Sequence, residues 1–202
     1  MESDSSIYNV LYRYTKALAT ALGYRDLMTR LHSERVDGLS NEIGASYGLD
    51  RRALGALRMA SAFHDIGKIG TPDKVLLKPA KLDEQDWEVM KQHSEIGEQI
   101  MLSTEVEGSK MAAQAIRNHH EHYDGSGYPD SLSGEDIPLY SRIISIADSY
   151  DAMAVTRSYH KARKHSEIME ILHEETGKKH DPRLMGIFEQ IIESSPFKTI
   201  DA

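Results

Sequence analysis

Ten histidines and no cysteine make up an unusual donor inventory for a 202-residue chain. Their spacing points to metal ligation. HDIGK occupies residues 64–68 and HHEHYDGSGYP residues 119–129, so His64 and Asp65, then His119 and His120, come as adjacent pairs. His32 stands upstream, His93 follows Asp65 by 28 positions, and Asp148 sits inside an apolar stretch. Without thiolates, a transition ion has to be held by imidazole nitrogen and carboxylate oxygen. That donor set suits iron, manganese, nickel, cobalt or zinc better than calcium or magnesium, which prefer all-oxygen sites. A single histidine on an apolar helix face is more often a hydrogen-bonded core residue, and Asp148 alone could pair with Arg142 or Arg157. The combination of the four signals tips the balance to metal.

The elements that must position these residues read as helices. Leu11, Leu18 and Leu22 fall near helical spacing, and a second helix spans Met28 to Tyr47 and stops at Gly48. Asp50 is placed to cap a helix that carries Leu54, Leu57, Ala60 and Phe63 into HDIGK, where Gly67, Gly70 and Pro72 break it. Asp83 caps the next, with Trp87, Met90, His93 and Gly97 expected on one face. A further helix covers about Glu107 to His120. Residues 123–138 form a turn-rich loop, and helices follow through SRIISIADSYDAM, Ser166 to Thr176 and Pro182 to Ser194. Few alternating strand patterns and no internal repeat are present, so the expected fold is an all-α bundle, whose facing helices can donate ligands to a metal site in the core. Successive helical side chains diverge by about 100°. His64 and Asp65 therefore cannot point the same way, and a carboxylate reaching sideways from a histidine ligand makes better sense with two ions than with one.

Composition bounds the rest. At 40% hydrophobic and 28% charged, the chain fits one globular domain, divided here into a connecting segment over 1–23 and a domain over 24–202. A formal charge of −8 argues against a general nucleic-acid binder. No apolar run reaches the roughly 18–20 residues that span a bilayer, and the N-terminus lacks signal-peptide features, so the expectation is a soluble, cytoplasmic protein without membrane insertion. One basic stretch interrupts the acidic background: between Asp151 and Glu167 no acidic residue occurs, while Arg157, Lys161, Arg163 and Lys164 do, with His160 and His165.

The order LHSERV, HDIGKIGTPD, KPAKL, HSEIG, HHEHYDGSGYP, GEDIPLYSRIISIADSYDAM, TRSYHKA and KKHDPRL, over about residues 24–190, closely resembles the HD-GYP family of bacterial cyclic di-GMP phosphodiesterases, a branch of the HD-domain metallohydrolases. The resemblance implies an HD-domain helical bundle with a metal site in its core, which hydrolyses cyclic di-GMP to linear pGpG and, in some members, further to GMP. It places metal ligands at His32, His64, Asp65, His93, His119, His120 and Asp148, with Asp65 bridging. Catalytic roles fall to Asp65 and Lys68. Substrate contacts fall to Lys68, Tyr128 of the GYP signature, Asp151, Arg157, His160 and Lys161. Bound ions lower the pKa of coordinated water toward ~7 and neutralise phosphoryl charge, so a hydroxide bridging the ions is the expected nucleophile.

Three positions depart from the family pattern. Met28 stands where three-metal members carry a glutamate, and a thioether is no substitute for a hard carboxylate donor. The expectation is therefore two divalent ions and no third. Ser158 and His160 replace the usual proline and Lys or Arg, which loosens the grip on the second phosphate. The alternative function is accordingly a slow or inactive module that binds cyclic di-GMP or pGpG and signals through protein contacts, with a diguanylate cyclase or an upstream sensor or receiver domain as its partner.

Overall fold

A computed structural model describes residues 20, 23–24, 27–155 and 161–199. Nine α-helices are seen among them: α1 (Leu27–Tyr47), α2 (Arg51–Phe63), α3 (Asp73–Leu76), α4 (Glu84–Lys91), α5 (His93–Leu102), α6 (Ser109–Asn118), α7 (Leu139–Ala154), α8 (His165–Glu175) and α9 (Pro182–Ile192). Two 3₁₀ turns, Ile66–Gly70 and Gly134–Asp136, complete the described secondary structure, and the only β pairing among the described residues is an isolated bridge between Thr176 and His180. The fold is all-α. No described helix is long and apolar enough to cross a membrane.

Side-chain caps start the helices that sequence placed. Asp50 accepts from the Ala53 amide, Asp83 from that of Asp86, and Asp181 from those of Arg183 and Leu184, with Pro182 as the first helical residue of α9. Each bond satisfies an amide that lacks an intrahelical partner. The longer helices then bury an apolar stripe. Val36, Leu39 and Ile43 of α1 and Leu57, Ala60 and Phe63 of α2 meet Ile116 of α6, Ile143, Ile144 and Tyr150 of α7, and Phe188 and Ile192 of α9 in one core. Helices α1, α2, α6 and α7 pack on one another, α5 lies along α6, and α9 closes against α1. Fully burying one such side chain contributes about 1.5–3 kcal/mol.

One expected helix is two. The ladder breaks at Gln92, whose amide turns back to Val89, and α5 then starts at His93. The break separates residues expected on one face: α4 buries none of its residues and leaves Trp87 45% exposed, whereas His93 and Gly97 of α5 are buried. The helix predicted from Leu11 to Leu22 lies almost wholly outside the described residues.

Candidate metal centre

His32 comes from the second turn of α1, and Asp148 from the middle of α7, which packs against it. Helix α2 ends at Phe63, so His64 and Asp65 occupy the bend into the 3₁₀ turn rather than a continuous helix, and Asp65 has φ −98° and ψ 4°. This bend lets adjacent side chains converge. His93 opens α5, and His119 and His120 follow the last residue of α6. Three chain ends or bends thus meet two mid-helix residues.

Seven side chains gather into two trios around one carboxylate. Ligand atoms of His32, His64 and Asp148 lie within 4.8 Å of one another, as do those of His93, His119 and His120. Asp65 faces both groups: Oδ1 is 3.5 Å from Nε2 of His93, while Oδ2 is 3.5 Å from Nε2 of His64 and 3.9 Å from Nε2 of His32. Each trio holds two buried members and one, His120 or Asp148, that is partly open. A site that binds substrate needs such an opening.

Hydrogen bonds behind the rings fix which nitrogen faces inward. Nδ1 of His64, His93 and His119 lies 2.6–2.7 Å from the carbonyl oxygens of Ser61, Met90 and Ile116. A carbonyl only accepts, so these nitrogens donate and each Nε2 presents a lone pair. His93 and His119 then face each other Nε2 to Nε2 at 3.4 Å with no proton to share. The buried Nε2 of His64 has no hydrogen-bond partner at all. Lone pairs aimed at one another in a buried site are what a cation would satisfy, so the residues fit a divalent metal centre.

Charge agrees with this arrangement. Burial, aided by neighbouring histidines, holds His119 near a pKa of about 3, and burial holds His93 near about 4, so both are neutral and able to donate to a cation. His64 and His120 are shifted down for the same reason. Burial also opposes ionisation of Asp65, but the Lys68 ammonium, with the cationic His32 nearby, overcomes it and keeps the carboxylate ionised. His32 differs: despite its burial, hydrogen bonds to Asp148 and Asp151 push its pKa up to about 9. Its Nε2 is 3.0 Å from Asp148 Oδ1 and its Nδ1 is 2.6 Å from Asp151 Oδ2.

Asp151, expected at the substrate, is turned elsewhere. It is 3% exposed, and its two oxygens are taken by His32 and by Arg35, whose Nε and Nη2 donate at 2.5 and 2.9 Å. It therefore stands behind His32 and orients that ring. Arg35 was not singled out from sequence, although it follows His32 by three positions and so shares its helix face. Lys68 donates to Asp65 Oδ2 at 2.6 Å. Tyr128 stacks on the His120 ring at 4.9 Å and 25°, and its peptide bond to Pro129 is cis. Lys161 is exposed. Arg157 and His160 lie outside the described residues, and so does the Met28 side chain.

Glu121 was also missed. Its carboxylate is 2% exposed and accepts the amides of Asp130 and Leu132, which pins the loop carrying Tyr128 beside His120. Arg117 adds a bidentate pair with Asp130 from α6. The available signal was an acidic residue directly after two ligands in an otherwise buried segment.

Known proteins resemble this chain. The HD domain family model matches residues 16–184. The chain is 40% identical over 166 residues to the cyclic di-GMP phosphodiesterase response regulator RpfG of Xanthomonas campestris pv. campestris, covering 82% of this chain and 44% of that protein. It is 38% identical over 170 residues to the 3′3′-cGAMP-specific phosphodiesterase 2 of Vibrio cholerae, covering 84% of this chain and 33% of that protein. The chain thus spans less than half the length of these curated relatives. In structure it is similar to an HDG"Y"P protein from Bdellovibrio bacteriovorus, with a TM-score of 0.66 and 19% identity over 92% of this chain and 60% of that one, a likeness of fold. The matched span takes in all seven converging side chains, from His32 to Asp148, and the chain belongs to the HD-domain family.

Proposed function

We propose that this domain is a metal-dependent phosphodiesterase that opens cyclic di-GMP to linear pGpG and then releases GMP. The observation that carries the reading is Asp65 between the two trios, with one oxygen toward each. Each trio together with one Asp65 oxygen offers four donor atoms, which argues for two ions, drawn from iron, manganese, nickel or cobalt, with zinc as an alternative. Met28 speaks against a third. When bound, such ions lower the pKa of water toward ~7 and offset charge on phosphoryl oxygens. The chain's own residues do the rest. Lys68 sets its ammonium against Asp65 at the edge of the centre, where it can steady negative charge on the departing oxygen. Asp151 and Arg35 hold the His32 ring in register, and Tyr128 flanks the opening at His120. Arg157 and His160 are assigned to the substrate phosphates, on the sequence pattern alone.

The name of the Vibrio cholerae relative brings a second cyclic dinucleotide into consideration, 3′3′-cGAMP. Both are tested by incubating manganese-, iron-, nickel- or cobalt-loaded protein with each dinucleotide and separating the products by chromatography. Linear dinucleotide and mononucleotide should accumulate from cyclic di-GMP, faster than from 3′3′-cGAMP. Binding without turnover in every metal form would replace the enzyme with a dinucleotide-binding signalling module.

A further inference from the structure

Trp87 is 45% exposed on α4, a helix that buries none of its residues. Its ring is nevertheless held in place. The indole meets Tyr128 edge to face, with centroids 6.1 Å apart at 80°, and Tyr128 in turn stacks on His120. His120 lies 5.0 Å, centroid to centroid, from His93. A ladder of rings therefore leads from one metal-ligating trio to the surface and ends on an open indole. One turn along α4, on the same face, Lys91 places its ammonium 5.8 Å from the Tyr128 ring centroid, held by Glu88 at 2.6 Å.

An indole fixed beside a cation, at the rim of a centre suited to phosphate, matches the chemistry of a nucleotide. The flat purine face stacks on an aromatic ring, while the attached phosphate seeks positive charge. A protein partner would use such a residue too, but the ladder is continuous with the site through Tyr128 and His120, which favours the molecule that reaches the metals. We propose that Trp87 is a substrate-contacting residue whose indole stacks on one purine base of the cyclic dinucleotide, with Tyr128 bracing the indole and Lys91 beside the sugar-phosphate. This rests on the phosphodiesterase reading above and adds a base-binding position to it.

The chain contains a single tryptophan, so its fluorescence reports on Trp87 alone. Zinc is a closed-shell ion, which makes the zinc-loaded full chain suitable for titration with cyclic di-GMP and, in parallel, with ribose 5-phosphate, which has a phosphate but no base. Saturable quenching by cyclic di-GMP only is expected. In the metal form that turns over, Trp87→Ala should raise KM about tenfold or more, the effect of losing one stacked base, with kcat little changed. Trp87→Phe should restore most of the affinity. Turnover with unchanged fluorescence and an unchanged KM in Trp87→Ala overturns the stacking assignment and leaves the phosphodiesterase standing. Equal quenching by ribose 5-phosphate overturns it as well, because the base would then play no part. If cyclic di-GMP neither binds nor turns over in any metal form, both readings fall together.

Discussion

Asp151 stands behind the candidate metal centre and not in it. Its Oδ2 takes the Nδ1 proton of His32, which aims Nε2 at Asp65 and Asp148, and Arg35 keeps the carboxylate itself from swinging away. Partners of this kind typically account for 10- to 100-fold in metal affinity or activity. Asp151→Asn keeps the shape but removes the charge. We expect its affinity for manganese, read by isothermal titration, to fall by about that factor at one of two sites while circular dichroism stays as in the parent protein. An unchanged affinity would return Asp151 to the substrate side. The other three inward-facing rings whose Nδ1 is fixed use backbone carbonyls three residues upstream, an arrangement that local chain geometry supplies without a charged partner.

At the scale of elements, the 3₁₀ turn Ile66–Gly70 decides whether Asp65 can bridge. It runs hard against the start of α5, and a Cβ placed on Gly67 would collide with the carbonyl oxygen of His93 and approach the Gly97 amide to 2.6 Å. Gly97 in turn admits Ile116 from α6. Only this close approach brings Asp65 within 3.5 Å of His93 Nε2. Gly67→Ala should therefore cost about 1–3 kcal/mol in urea denaturation, as overpacked sites do, and should weaken metal binding at the same time. Loss of stability with intact stoichiometry and affinity would show that the turn is free to move without disturbing the bridge. A second close approach fixes the loop at the other rim, where a Cβ on Gly127 would strike the backbone of residues 120–122. Gly127 precedes Tyr128, whose amide donates to the His120 carbonyl.

For the molecule as a whole, an occupied centre would act as a cross-link. Its candidate ligands come from α1, the α2 end, α5, the α6 end and α7, so ions bound there would tie together five separate parts of the bundle. An ion at 100 times its Kd stabilises the folded chain by about 2.7 kcal/mol, and each kcal/mol moves Tm by about 2–4 °C in a domain of this size. Treating the metal-loaded protein with EDTA should thus lower Tm by about 5–10 °C in calorimetry, reversed by adding back manganese. A Tm that does not respond to EDTA would mean that the trios do not hold ions in the folded state.

Much of this was legible in the sequence, because the signals are local. Caps at Asp50 and Asp83, helical periodicity and the absence of strand patterns lead to an all-α chain, and each depends only on residues within a few positions of one another. The seven metal-site residues were named from their types and their order. What periodicity could not show is the direction of each side chain once a helix ends. The break at Gln92 separates Trp87 from the buried face of His93, and the bend after Phe63 turns Asp65 between two trios. Asp151 is expected at the substrate from the family pattern, whereas in the bundle it is sealed behind His32, 119 residues away in sequence. Sequence alone thus determined the all-α class, the caps at Asp50 and Asp83 and the candidate donor set. The tertiary structure decided which donors meet, which carboxylate lies between them and which stands behind, since those depend on packing between helices distant in the chain, and on close approaches that only glycine allows.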